Sequence, residues 1–311
     1  MKFSISCKLA RKLFCTAVFL SATFNLCRAA TGPAETAHPV DFWRSIAIHG
    51  YAVPENDSAD TLSNELSAML ASPDPALRDD LAYSILARWI ARPNILSSKQ
   101  LIALTDEWRA NLNTGIGESG NDLVVKRSFS ALCLASLAER EAKTPFMGAN
   151  RYHQLVAEAS NYLQAEKDLR GYDPRLGWVH ATAHAGDLLQ GLAHSTQMSK
   201  DEEVAILAAI AHRLSTAPQI YIQGEQDRLA AAVDALLRRP DFEPENFNQW
   251  LTRLQGEDRD VWGKPLTPET LAVYQNHCYM LQALAVHLSL APESPSVTSY
   301  KQSVLAILRN R

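Results

Sequence analysis

The sequence has 311 residues, of which 47% are hydrophobic, and its 30 basic and 34 acidic residues give a formal net charge of −4. This composition is typical of a globular chain. It argues against a nucleic-acid partner, because a negative chain without basic runs repels phosphate backbones. Length alone allows either one domain or two.

Residues 1–29 have the pattern of a secretory signal peptide. They contain five basic residues and no acidic one, then an apolar run over 13–27 that polar residues interrupt, then the small residues Ala29 and Ala30. The run is too short and too polar for a good membrane span. We therefore expect cleavage near Ala29 or Ala30, a periplasmic or secreted protein, and membrane contact only through an uncleaved segment.

Two cysteines remain after the predicted signal peptide, Cys133 and Cys278. An oxidising compartment permits a disulfide between them. Each also lies in an apolar helical pattern, where buried free thiols are common. The sequence leaves both states open.

The rest of the chain is predicted to be all-α, with an extended N-terminal segment over 30–56 and a single helical-repeat domain over 57–311. Apolar residues recur three and four positions apart in most segments of that domain, which is the signature of amphipathic helices, and no convincing alternating strand pattern occurs. Two segments, 74–93 and 225–240, resemble each other weakly in the manner of repeats. We therefore predict an irregular alpha-solenoid of HEAT-like antiparallel helix pairs, with a compact helical bundle as the alternative.

Residues at the predicted helix starts support this interpretation. Asp74 and Thr267 each precede a proline, which is the order expected of an N-cap followed by the first helical position. Ser199 and Glu202 have the spacing of a capping box. The connections between the helices are mostly short, as expected for helices that pack as antiparallel neighbours.

The stretch GWVHATAHAGDLL, residues 177–189, combines two histidines and an aspartate. On an α-helix with about 100° per residue, His180, His184 and Asp187 project along one stripe. Histidines four positions apart are a known way to hold zinc, and an aspartate one turn on is a conceivable third ligand. The metalloprotease form His-Glu-x-x-His is absent, and three ligands on one stripe rarely converge. The alternative is a packed helix, in which alanines and Gly186 allow close helix approach.

Three blocks of the sequence carry a family resemblance. They are VKRSFSALCLA (125–135), EKDLRGYDPRLGWVHATAHAGDLL (166–189) and GEQDRLA (224–230). In this order and spacing they resemble the bacterial domain of unknown function family numbered 2785, and the middle block is the most specific. The resemblance implies a helical, HEAT-like domain and no established reaction.

Residues in and beside these blocks are candidates for one polar groove: Arg127, Arg170, Trp178, His180, His184, Asp187, Glu225, Asp227 and Arg228. From charge alone, Arg170 is predicted to pair with Asp187 or Asp227. Because buried charges need partners, internal ion pairs between helices are the structural alternative to a groove.

We predict an exported binding or scaffold module, without a cofactor, for a protein, peptide or small polar ligand. The alternative is an envelope enzyme, such as a metal-assisted hydrolase that uses His180 and His184. In that case zinc is the expected metal, with Asp187 as a further ligand or as the group that orients an imidazole.

Overall fold

The computed structural model describes residues 37–290, 292 and 294–310, so the predicted signal peptide lies outside the described residues. The all-α prediction is confirmed, because helices and one short hairpin make up the regular structure of this part of the chain. None of the helices described is long and apolar enough to cross a membrane. The elements are α1 (Val40–Ile48), α2 (Ala59–Met69), a π-helix (Ala76–Tyr83), α3 (Ser84–Ala91), α4 (Ser98–Asn111), α5 (Leu123–Lys143), α6 (Ala149–Ala165), β1 (Tyr172–Asp173), β2 (Gly177–Trp178), α7 (Ala181–Ala193), α8 (Lys200–Thr216), α9 (Glu225–Leu237), α10 (Pro244–Trp262), α11 (Pro268–Leu290) and α12 (Pro295–Arg309).

The predicted extended segment over 30–56 contains helix α1 in its described part. Trp43 is fully buried and Ile46 is 3% exposed, and their spacing of three positions puts both on the inner face of the helix. Packing supplies most of the stability of short helices. Burial of this apolar face therefore stabilises α1, although the helical pattern of its sequence is weak. The prediction was therefore wrong over residues 40–48, whereas residues 30–36 lie outside the described part.

Two predicted helix starts have the expected cap contacts. Ser199 and Glu202 form a complete capping box, in which each side chain binds the backbone N–H of the other residue. The Oγ1 of Thr267 accepts the N–H of Thr270 at 3.2 Å. Both contacts satisfy backbone N–H groups that have no partner inside the helix.

The segment over 74–93 begins as predicted but is not a uniform α-helix. The carboxylate of Asp74 accepts the N–H of Ala76 at 2.9 Å. The chain then forms the π-helix, a rare form that occurs often at functional sites, and continues as α3. Arg78 in this π-helix is fully buried, and its contacts reach the site described below.

Helix α7 lies between α5 and α9 and packs closely against both. A Cβ on Gly186 would lie 2.9 Å from the backbone carbonyl carbon of Arg228 in α9. A Cβ on Gly191 would lie 3.0 Å from the carbonyl oxygen of Ala135 in α5. The close helix approach expected of the packing alternative is therefore present on both sides of α7.

The neighbouring helices form two rows. Helices α5, α7, α9 and α11 pack in that order, and α6, α8 and α10 pack in a second row. Contacts of α6 with α7, and of α8 with α9 and α11, join the rows. Stacked helix pairs and a compact bundle both allow such neighbours, so the irregular HEAT-like solenoid stays a prediction, with the bundle as its alternative.

Cys133 in α5 is a free thiol with no exposed surface. Burial raises the pKa of this thiol. A disulfide between Cys133 and Cys278, the first of the two states left open by the sequence, is therefore not formed.

Candidate functional site

The site is built around a β-hairpin between α6 and α7. Tyr172 in β1 pairs with Trp178 in β2, and the two antiparallel strands have two residues each. The carboxylate of Asp173 closes the turn, because its Oδ1 accepts the N–H groups of Arg175 at 2.9 Å and Leu176 at 3.0 Å. An isolated two-stranded hairpin is marginal in water, so this one depends on the helices around it.

Arg78 stabilises the hairpin through hydrogen bonds to its backbone. Its Nη2 donates to the carbonyl oxygens of Leu176 at 2.5 Å and Trp178 at 3.2 Å. Its Nη1 donates to the carbonyl oxygen of Ser72 at 2.9 Å, and its Nε lies 2.7 Å from Oδ1 of Asp79. Burial lowers the pKa of Arg78, and Asp79 opposes this shift. Because arginine keeps its charge in proteins, a buried cation fixes the backbone of the hairpin.

Arg170 pairs within its own loop, so its predicted pairing with Asp187 or Asp227 was wrong. Its guanidinium donates to both carboxylate oxygens of Asp168, at 2.8 and 2.6 Å, and to Asp173 at 2.9 Å. Residues two or three positions apart meet at a smaller entropic cost than residues of separate helices. The carboxylates that Arg170 binds are therefore the local ones.

Arg127 is predicted to line a groove, whereas the structure buries it completely. Its Nε and Nη2 donate to the carboxylate of Glu166 at 2.6 and 2.9 Å. Its Nη1 donates to the carbonyl oxygens of Thr114 at 3.0 Å and Gly115 at 3.1 Å. The guanidinium thus ties α5 to the loop before it and to the chain after α6. This contact matches the structural alternative, an internal ion pair.

His180 precedes α7 instead of lying inside it, so the predicted helical stripe was wrong at this position. Its backbone has φ 49° and ψ 31°, a left-handed conformation that is uncommon for residues other than glycine and for which histidine is enriched. The N–H donates to the carbonyl oxygen of Arg170 at 3.1 Å, and ring Nε2 donates to the carbonyl oxygen of Gln223 at 2.8 Å. These bonds keep His180 in its left-handed conformation at the junction of the hairpin and α7, which begins at Ala181.

His184 lies in the first turn of α7 with 7% of its surface exposed. The hydroxyl of Ser128 donates to the carbonyl oxygen of Val179, so Nδ1 of His184 is the donor in its 2.8 Å bond to the same hydroxyl. Burial, with a smaller effect of His180, lowers the pKa of His184 to about 3. The ring is therefore neutral at pH 7 and is a poor acid or base there.

Asp187 and Arg228 form an ion pair between α7 and α9, with 2.8 Å between Oδ1 and Nη1. Burial raises the pKa of Asp187, and Arg228 opposes this shift. Asp227 contacts His287 of α11 at 3.1 Å and is exposed. Asp187 therefore binds an arginine and does not orient an imidazole.

Glu225 supports the other side of the hairpin from the start of α9. Its buried carboxylate accepts the N–H of Gln223 at 2.9 Å. The side-chain oxygen of Gln223 accepts the N–H of Tyr172 at 2.7 Å. A Cβ on Gly171 would lie 1.8 Å from that oxygen, so a larger residue there would displace the Gln223 side chain from the N–H of Tyr172. The sequence candidates that meet around the hairpin are Arg170, Trp178, His180 and Glu225.

The outer face of the hairpin is aromatic and exposed. The Trp178 ring stacks on His180 with centroids 4.4 Å apart and meets Tyr172 edge to face at 5.1 Å. Trp178 is nevertheless 43% exposed and Tyr172 52% exposed. Ile222, in the segment that binds the hairpin, is 76% exposed, and Ile220 is 40% exposed. We call Tyr172, Trp178, Ile220 and Ile222 the hairpin surface.

The predicted zinc ligands do not converge. Their side chains are engaged with different groups: His180 with a carbonyl oxygen, His184 with a hydroxyl and Asp187 with a guanidinium. Over the ranges that the structure describes, no group of three or more His, Cys, Asp or Glu side chains is arranged to hold a metal ion. In this arrangement His180, His184 and Asp187 do not fit zinc.

A family model described as protein of unknown function (DUF2785) matches residues 112–286, which is more than half of the chain. The chain belongs to this family. The matched region contains the hairpin, α5, α7 and α9, and with them all the sequence candidates, whereas Arg78 lies before it. Searches of curated proteins and of solved structures found no match for the chain.

Sequence reasoning missed four residues that hold the site together: Arg78, Ser128, Glu166 and Gln223. Arg78 stands four and seven positions before the core residues Ala82 and Ile85, and a charge on such a core-facing stripe signals a buried partner. Ser128 and Glu166 lie inside the blocks that carry the family resemblance. Gln223 gives no signal, because it acts partly through its backbone carbonyl.

Proposed function

We propose that the protein is an exported, non-enzymatic binding module that recognises a peptide or protein partner through the hairpin surface. The observation that carries this proposal is the state of Trp178. Its ring is held by Tyr172 and His180, yet 43% of the residue faces solvent. Tryptophan and tyrosine are enriched among the residues that dominate binding at protein interfaces.

The support beneath the hairpin favours binding without rearrangement. Buried Arg78 holds the carbonyl oxygens of the second strand, and Gln223 accepts the N–H of Tyr172. Side chains that are already fixed lose less conformational entropy when a partner docks. A hairpin restrained in this way is a preorganised anchor.

The distribution of polarity around the hairpin also supports the proposal. Ile220 and Ile222 expose apolar side chains in the segment that binds the hairpin through Gln223. At the turn, Arg175 and Asp122 form an exposed ion pair with 2.5 Å between Nη2 and Oδ1. An apolar centre with a charged rim is the usual anatomy of a protein interface.

Export is part of the proposal and rests on the sequence of residues 1–29. Loss of this segment would change the formal net charge from −4 to −9, because it removes five basic residues and no acidic one. The partner would then be met in the periplasm or outside the cell. Mass spectrometry of the protein recovered from the producing cell tests this step: a mature chain that begins near residue 30 is expected, and an intact Met1 would contradict cleavage.

The enzyme alternative has weaker geometric support. His184 is buried and neutral, and Asp187 is bound to Arg228. His180 uses its Nε2 to bind a backbone carbonyl oxygen. These contacts favour a structural role for the imidazoles, with the hairpin surface as the binding element.

Selection of a random peptide display library on the purified mature protein tests the proposed function. We expect an enriched peptide family whose Kd, measured by calorimetry, rises at least about 30-fold in Trp178→Ala, which corresponds to roughly 2 kcal/mol for a central tryptophan. Circular dichroism of the variant should be unchanged, since Trp178 is a surface side chain of a short hairpin.

Trp262→Ala is the matched control. Trp262 is 56% exposed and meets Tyr274 edge to face at 5.1 Å, so it repeats the Trp178–Tyr172 arrangement at another place. The peptides should bind this variant with unchanged affinity. Equal loss in both variants, or the lack of any selected peptide that is sensitive to Trp178→Ala, would contradict the proposal.

A further inference from the structure

A cavity of about 490 Å³ lies where the start of α2, the start of α4 and the end of α5 meet. None of its lining residues belongs to the hairpin surface. Its volume is within the range of sites for small molecules. The cavity is therefore a second place at which the protein could bind a ligand.

Arg140, a cation in the last turn of α5, lines this cavity. Its Nε is buried and has no hydrogen-bond partner among the residues described. The buried guanidinium groups of Arg127 and Arg213, by contrast, donate to a carboxylate or to carbonyl oxygens. A buried donor without an acceptor costs free energy, and a bound acceptor would recover it.

Polar groups at two helix starts share the wall with Arg140. Ser58, the N-cap of α2, makes no side-chain cap bond and is one of the residues that line the cavity. The carboxylate of Asp60 is also in the wall, but it accepts the N–H of Ser97 at 2.9 Å and the hydroxyl of the same residue. These bonds hold the Asp60 carboxylate at the start of α4, where the positive end of the helix offsets part of its charge, and Arg140 supplies a full positive charge in the same wall.

Five apolar residues also line the cavity: Ile95, Leu96, Leu101, Pro145 and Phe146. A free inorganic anion would satisfy the guanidinium and leave this surface wet. An anion with an apolar body would cover both parts.

We propose that this cavity binds a small organic carboxylate, with the carboxylate on Arg140 and the apolar body against the apolar wall. Arginine recognises carboxylates through two parallel N–H donors, and such charge-assisted bonds are among the strongest hydrogen bonds in proteins. The site is independent of the proposed function of the hairpin surface.

Calorimetric titration of the full chain with hexanoate tests the proposal. We expect saturable binding at millimolar concentrations, and at least about tenfold weaker binding in Arg140→Gln. Lys143→Gln is the matched control: it removes the same charge one turn away, from a side chain that is 77% exposed and 3.9 Å from Glu139. This variant should bind hexanoate like the unmodified protein.

Two further measurements separate the parts of the proposal. Arg140→Lys keeps the charge and loses the planar fork, so it should bind hexanoate with intermediate affinity, which also covers the case in which Arg140→Gln does not fold. Neutral hexanamide and inorganic phosphate should both bind more weakly than hexanoate. No hexanoate binding, equal binding by Arg140→Gln, or equal binding of either reference compound would overturn the proposal.

Discussion

The Glu166→Gln substitution removes the negative partner of a guanidinium that has no exposed surface. Arg127 donates to both oxygens of Glu166, at 2.6 and 2.9 Å. Glutamine offers one acceptor and one donor, so one N–H of Arg127 would face an amide group and the cation would lose its charge partner. Breaking a buried pair on one side costs about 3–5 kcal/mol. For a domain of this size the expected fall in Tm is on the order of 10 °C.

Denaturant unfolding and thermal unfolding of the two proteins measure this effect. The matched control is Glu158→Gln, because Arg109 donates to both oxygens of Glu158 at 2.7 and 2.8 Å, and these side chains are 14% and 33% exposed. Water can solvate the control pair, so its loss should cost less than about 1 kcal/mol. If both substitutions lower the free energy of unfolding equally, burial does not determine how much the Arg127–Glu166 pair contributes to stability, and the reasoning fails.

Two further predictions concern α7 and its neighbours. His184 has a pKa of about 3 in the fold against an ordinary value of 6.5, so the unfolded chain binds more protons between these values and stability falls as pH drops through this window. Denaturant titrations from roughly pH 7 to pH 4 should show the unmodified protein losing roughly 1 kcal/mol per pH unit more than His184→Gln, and parallel curves would contradict the assignment. Gly186→Ala should lower Tm, because the new Cβ would lie 2.9 Å from the backbone of Arg228. Gly256→Ala in α10 is the control, because the new Cβ there would have only a side-chain atom within 4 Å, at 3.9 Å. That second variant should gain up to about 1 kcal/mol in the free energy of unfolding, and a stabilised Gly186→Ala would refute the close approach of α7 and α9.

The sequence predicted those features that depend on near neighbours in the chain. The capping box of Ser199 and Glu202 joins residues three apart, and the helices follow from apolar spacing within single segments. The blocks of the family resemblance located the hairpin region. All of this information is local, so one sequence is sufficient to find it.

The hairpin and its partners were missed for physical reasons. Strands of two residues are too short for an alternating pattern, and the turn bonds of Asp173 leave no separate signature. The helical pattern of α7 continues back to His180 in the sequence, and the prediction therefore placed this residue inside the helix. His180 instead takes a left-handed conformation, because the hairpin and Gln223 bind it. Arg78 binds the hairpin through backbone carbonyl oxygens, which any residue offers, so no side-chain pattern reveals that contact.

The Arg78 contact also links the hairpin to the order in which the chain is made and folded. The guanidinium reaches carbonyl oxygens 98 and 100 positions further along the chain. Synthesis delivers Arg78 long before its acceptors, and contacts at such separation form only after the intervening chain has collapsed. We therefore expect the hairpin to acquire its fixed geometry late in folding, which hydrogen exchange during refolding would measure. A fragment cut to residues 112–286 would keep Trp178 and lose the cation that holds it in place.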